Sequence, residues 1–221
     1  MASRKEPFVV GEYYHVCNRG AEKCNITKDP FDSNRFVESL IVFNDTEPIG
    51  SIYEQSFIKS KPKEQKNRLV DIVAYCLNPN HFHLILKQLA ENGISIFVGR
   101  LSGGYAYYIN NKYKRTGSLF QGKFKARHLI DNDDFLHASA YVNLNNNVHQ
   151  LGGLASKLVR SSWEEYEDNK NVSICQKDII LDQFETRKEY ELFALNSLPL
   201  MLEYKENSKP ESTAGYILGD I

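Results

Sequence analysis

The chain has 221 residues, 42 % hydrophobic, 12 % aromatic and 25 % charged, with a formal net charge of −1. That suffices for one domain with a substantial core. No apolar run approaches the roughly 18 residues of a membrane span, and "MASRKEPFVV" lacks the apolar stretch and cleavage site of a secretory signal. Four cysteines, Cys17, Cys24, Cys76 and Cys175, fit neither a zinc spacing nor a disulfide scaffold. The expectation is a cytoplasmic protein with reduced thiols and no membrane attachment.

In chain order, "GEYYHVCNRG" (11–20) alternates and is rich in Tyr and Val, which predicts a strand ending near Asn18-Arg19-Gly20. In "DPFDSNRFVESLIVFND", Asp32 or Ser33 is the expected cap of a helix whose apolar stripe is Phe36, Val37, Leu40, Ile41 and Phe43. Residues 45–68 hold Pro48, Gly50, Pro62 and "KSKPKEQK", and read as an exposed insertion with a short strand near Ile52. "RLVDIVAYCL" (68–77) is an apolar strand. The Asn-Pro-Asn turn returns the chain as "HFHLILKQ", a hairpin.

A long helix is expected from about Ser95 to Arg115, weakened or bent at Gly103-Gly104 and ended by Gly117. "SLFQGKFKARHLI" returns to strand character. "DNDDFLHASAYVNLNNNV" reads as a helix opened by Asp131 to Asp134 and ended by the Asn run at 145–147. "SSWEEYED", a helix around 186–194 and a polar tail from about Lys205 complete the chain. Hairpins with helices interspersed argue for an α+β fold with an antiparallel sheet, and against a doubly wound one.

Charge is distributed unevenly. Residues 161–221 hold thirteen acidic and six basic residues, a sum of −7, which leaves +6 on residues 1–160. Residues 87–127 hold eight Lys or Arg against the single acid Glu91, interleaved with aromatics. That pattern suits a polyanion such as single-stranded nucleic acid.

Side chains alternate across a strand, so His81 and His83 project from one face and Phe82 and Leu84 from the other. Two imidazoles at i and i+2 can share one divalent cation; a pair of half-exposed histidines on a solvated sheet face is the plainer alternative. Tyr141 and Asn145 are four apart and share a face if both lie on one helix. His15 sits in the first strand, equally readable as structural, and the spacing of His128, His137 and His149 does not recommend them as ligands.

These residues carry a resemblance. "YYHVCNRG", "AYCLNPNHFHLIL", "YINNKYKRTGSLFQGKFKA", "AYVNLNNNV" and, more faintly, "RSSWEEY" occur in the order found in the REP-associated tyrosine transposases and the single-tyrosine insertion-sequence transposases. These are HUH single-strand DNA endonucleases, and the similarity covers about residues 11–166. The resemblance implies a ferredoxin-like palm with helices on one face of the sheet, occupying residues 1–155. Residues 156–221 would form an acidic C-terminal extension with a helix and a polar tail. Carried over by position, Tyr141 is the nucleophile, and Asn145 completes a metal site with His81 and His83. Asn146 departs from the family, which has proline there.

The resemblance also implies Mg²⁺ or Mn²⁺, a covalent 5′-phosphotyrosine, and a hairpin-containing single-stranded DNA partner. It allows monomer or dimer, and a nucleoid-associated location. Arg19, Lys112, Lys114, Arg115, Lys123, Lys125 and Arg127 are the expected backbone contacts, with Tyr107, Tyr113 and Phe120 as stacking platforms. Tyr105, Tyr107 and Tyr108 are rival nucleophiles. Two other readings stay open: a domesticated binding module without chemistry, and a small-phosphodiester hydrolase that uses water.

Overall fold

The computed structural model describes residues 7–47, 67–167 and 173–207. The expected strand near Ile52, most of the 45–68 insertion and most of the polar tail lie outside the described residues. Among the described residues, five strands form one antiparallel sheet in the order β4-β1-β3-β2-β5. They are β1 (Tyr13–Arg19), β2 (Val70–Asn78), β3 (His81–Gln88), β4 (Lys125–His128) and β5 (Arg160–Ser161). Helices α1 (Pro30–Val42) and α2 (Gly93–Tyr113) connect the first four in a β-α-β-β-α-β sequence, the ferredoxin-like arrangement. The α+β class and the antiparallel palm are borne out.

Both α1 and α2 pack on the face carrying Phe82, Leu84 and Leu86. The cap of α1 is Asp29, a few residues before the expected one. Its side chain accepts from Asp32 N while Asp32 reaches back to the cap, a reciprocal capping box, and Pro30 holds the first helical position. Helix α2 runs through Gly103-Gly104 without interruption. Burial of Phe97, Val98, Leu101, Tyr105 and Ile109 along one stripe outweighs two poor helix formers. It ends at Lys114, in the left-handed region at φ 52°, before Gly117 is reached.

The opposite sheet face is covered too. Helix α3 (Asn132–Asn143), capped by Asp131, lies there, followed by the one-turn helix α4 (Asn145–Val148). Short helices α5 (Trp163–Glu167) and α6 (Asp178–Leu181) and the long α7 (Arg187–Asn207) join the same second core. Helices are therefore not confined to one face. The reason is chemical: Val73, Ala74, Cys76 and Ile85 make the second face apolar around its histidines and in need of cover.

Tyr190 of α7 is buried among Ser139, Asn143, Tyr166 and Phe184. Its hydroxyl accepts from Asn143 Nδ2 at 2.8 Å and pairs with Ser139 Oγ at 3.1 Å. Those two positions flank Tyr141 on α3, so the C-terminal helix pins the helix that carries the tyrosine. Tyr166 fixes α5 to β2 by donating to the Val73 carbonyl at 2.9 Å.

Candidate active site

The register of the sheet assembles the site. Cys17, His83 and Cys76 stand opposite one another across β1, β3 and β2, and the next row along the chain of β1 sets Arg19 against His81 and His81 against Asn78. On the edge strand, Lys125 pairs with Cys17 and Arg127 with His15. Partners in register point to one face, so Arg19, Lys125 and Arg127 line the histidine face together. The backbone is tight at its upper end, where Gly20 N donates to the Asn80 carbonyl at 2.8 Å. A Cβ on Gly20 would fall 2.1 Å from the Cys24 carbonyl oxygen, which excludes a larger residue without a backbone shift.

His81 and His83 are both buried, their rings 5.2 Å apart and nearly perpendicular. Tyr141 packs against His83 and His15: its ring is 5.4 Å from that of His83 and 6.1 Å from that of His15, edge-on to both. His15 Nε2 and His83 Nδ1 share a hydrogen bond of 2.9 Å. His81 Nδ1 lies 2.7 Å from Asn80 Oδ1. That acceptor assigns the ring proton to Nδ1 and leaves Nε2 with its lone pair.

Asn78 Nδ2 donates to His81 Nε2 at 3.0 Å and to Asn145 Oδ1 at 2.6 Å. Asn145 Oδ1 in turn lies 3.1 Å from His81 Nε2. Burial depresses every imidazole of the cluster: His15 and His149 to about 3, His81 to about 4, and His83 well below the ordinary value. Their neutral forms are the ones that ligate metals.

These donors fit a divalent ion. Two ligand atoms held at right angles about 2.1 Å from one Mg²⁺ are about 3 Å apart, which is the His81 Nε2 to Asn145 Oδ1 spacing of 3.1 Å. Asn145 Nδ2 is buried with no hydrogen-bond partner among the described residues, so this amide is placed for its oxygen. Among the described residues no three His, Cys, Asp or Glu side chains form a metal-holding group. The candidate set is therefore two imidazoles and an amide oxygen, with substrate or water for the remainder.

The expected helical pairing of Tyr141 with Asn145 needs correction. Helix α3 ends at Asn143, Leu144 leaves helical geometry at φ −102° and ψ 15°, and Asn145 opens α4. The two residues still reach one site, but across a break and not along one helix face. His149, unremarkable by spacing, has its ring 4.6 Å from that of His81. Asn78, a turn residue in the sequence, bridges two candidate ligands.

The other candidates separate. Tyr105 is buried on the far face of the sheet and donates to the Ile26 carbonyl at 2.9 Å; burial raises its pKa. Tyr108 donates to Asp32 Oδ1 at 3.2 Å. Neither approaches the histidines, while Tyr107 is exposed on the same helix. Lys112 is held by Asp29 at 2.7 Å and Asp32 at 2.6 Å, and Tyr113 donates to the same carboxylates. Both therefore tie α2 to the start of α1. Phe120 is core, edge-on to Phe82 at 5.7 Å. The Arg115 guanidinium lies against Cys24 Sγ at 3.7 and 3.8 Å, while Lys114 and Lys123 are exposed.

The palm thus sets paired histidines on a central strand, with Tyr141 edge-on to one of them. Comparison with known proteins shows what the chain resembles. Residues 52–145 match the family model described as "Transposase IS200 like". A solved structure titled "Structure of the REP associates tyrosine transposase bound to a REP hairpin" superposes with a TM-score of 0.54 at 13 % identity, covering 79 % of this chain and 90 % of that one. At that identity the likeness speaks for the fold. No curated protein matches. The resemblance to these transposases read from the sequence is borne out. Among the described residues, no helix is long and apolar enough to cross a membrane.

Proposed function

We propose that this protein nicks and rejoins single-stranded DNA through a covalent 5′-phosphotyrosine at Tyr141. The supporting observation is the seat of Tyr141, edge-on to His83 and His15, on a helix pinned from behind by Tyr190. The family match over residues 52–145, and the hairpin bound by the structural neighbour, favour a DNA strand carrying a hairpin as substrate.

His81, His83 and Asn145 would hold a divalent cation, Mg²⁺ or Mn²⁺. When bound, it supplies polarisation of a non-bridging phosphate oxygen and a fixed orientation of the scissile phosphate. The rest falls to the chain itself. A free phenol has a pKa near 10 and attacks poorly at neutral pH, so position must compensate. The Tyr190 network holds α3 in place, and His83 and His15 flank the Tyr141 ring. As the Tyr141 oxygen bonds phosphorus, its proton leaves, the bond from phosphorus to the 3′ oxygen breaks, and that oxygen takes up a proton. The energy of the phosphodiester stays in the new bond. A second strand's 3′-OH therefore restores the DNA without ATP.

The test is a denaturing gel of labelled single strands from the gene's flanking DNA, with Mg²⁺ or Mn²⁺, for wild type and Tyr141→Phe. An adduct in wild type alone is expected. An adduct that survives in Tyr141→Phe would move the nucleophile. Binding without an adduct in either protein would favour the domesticated binding module. Cleavage that persists without any adduct would favour water as nucleophile.

A further inference from the structure

Lys205, in the last turn of α7, donates from Nζ to the Val148 carbonyl at 2.8 Å. Val148 closes α4, and the next residue, His149, lays its ring against that of His81. An exposed ammonium from the C-terminal helix thus stands at the rim of the His81–Asn145 pair. Arg19 arrives from the other side, directly across from His81 in the β1–β3 register. Both cations lie near enough to His81 and His149 to disfavour a charge on either ring.

Capping the end of α4 satisfies one of the three ammonium donors of Lys205. An anion that enters beside His81 is attracted by both cations, and charge-assisted hydrogen bonds from an ammonium and a guanidinium are the strong ones. We propose that Lys205 and Arg19 together bind a backbone phosphate of single-stranded DNA beside His81, which makes the C-terminal helix part of the substrate site. This inference rests on the DNA reading above, but it concerns binding and not the covalent step.

The experiment uses the full chain carrying Tyr141→Phe, so that no adduct forms. Fluorescence anisotropy follows a labelled, mixed-sequence single-stranded oligonucleotide across a KCl series, for the Tyr141→Phe background and with Lys205→Gln, Lys205→Arg or Arg19→Gln added. Each cation withdrawn from a single-strand phosphate lowers the slope of log affinity against log salt by about 0.7. Lys205→Gln should lower it by about that much and Lys205→Arg should leave it unchanged. Because both cations serve the same phosphate, the Lys205→Gln/Arg19→Gln double variant should lower it no further than Lys205→Gln alone.

A merely structural role at the end of α4 predicts otherwise: a lower thermal midpoint and an unchanged slope. That outcome, with the background protein still binding DNA, overturns the Lys205 inference and leaves the strand-transfer reading standing. A background protein with no salt-dependent binding at all overturns both.

Discussion

On one face of the sheet Phe82, Leu84 and Leu86 lie under α1 and α2 without solvent contact; on the other, His81 and His83 of the same strand meet Tyr141, Asn145 and His149. The first face obtains its stability from apolar area removed from water. The second buries imidazoles and amides, each of which must be hydrogen-bonded or be held for a purpose. His83 has His15, and His81 has Asn80 and Asn78, but Asn145 Nδ2 has no partner among the described residues. Alternation along β3 therefore puts the apolar core and the polar, histidine-lined face one residue apart.

Substitutions at adjacent positions should separate the two. Phe82→Ala removes a fully buried ring and should cost about 3–5 kcal/mol, read from a denaturant midpoint, while molecules that remain folded keep their capacity for adduct formation. His81→Ala should do the reverse. Adduct formation should fall by more than the roughly 10–100-fold that loss of an outer-shell partner costs a metal site, with a far smaller shift in midpoint. Equal effects on both readouts from both variants would break the comparison.

Asn78 tests the histidine face more finely. Its amide nitrogen bridges His81 Nε2 and Asn145 Oδ1 without being a ligand itself. Its bond to His81 Nε2 gives way when that lone pair takes a metal, but its bond to Asn145 Oδ1 leaves that oxygen a second lone pair and holds it in place; by releasing Asn145, Asn78→Ala should lower adduct formation by about 10–100-fold and raise the Mg²⁺ or Mn²⁺ concentration needed for half-maximal activity. An unchanged metal requirement would confine Asn78 to holding the hairpin turn.

Acid should act on the histidine face before the apolar one. His15, His81 and His149 have folded-state pKa values of about 3, 4 and 3, with His83 also depressed, against an unfolded value near 6.5. The unfolded chain therefore binds more protons than the folded one as pH falls from about 6.5 towards 3–4. Stability is highest above that window and declines through it. The slope is about 1.4 kcal/mol per pH unit for each deeply buried group involved. Denaturant midpoints between pH 7 and pH 4 should fall accordingly, and His15→Phe should flatten the profile. A profile indifferent to His15 would place the acid sensitivity elsewhere.

Much of this fold and site is legible in the sequence, for identifiable reasons. The turn Asn78-Pro79-Asn80 and the period of two in "HFHLIL" are local signals, and they put both histidines on one face. The cap at Asp131 is local as well. Asn145 comes to His81, but not along the helix face that its spacing from Tyr141 suggests, since no periodicity reveals that Leu144 breaks the helix. His15 and His149 depend on strand register and on a turn after α3, both long-range. Lys112 escapes a sequence reading for the same reason. A run of basic residues does not show that Asp29 and Asp32, some eighty positions before it, come to meet one of them. Lys205 enters from a helix that reads only as an acidic extension.

The smallest effect concerns Arg127, which lines the histidine face yet is paired with Asp134 in the first turn of α3, at 2.5 Å. Both side chains keep partial exposure, so the pair should contribute no more than about 1 kcal/mol, and less in salt. Asp134→Asn should therefore leave the thermal midpoint nearly unmoved. Its effect on DNA should be plainer, because the carboxylate competes with phosphate for the guanidinium. Removing it should tighten single-strand binding and steepen the salt dependence by up to about 0.7 in slope. Arg127→Gln should abolish that gain when combined with Asp134→Asn. Were Asp134→Asn to weaken binding instead, the pair would be orienting Arg127 towards the strand, and the edge of the histidine face would be pre-set for DNA before DNA arrives.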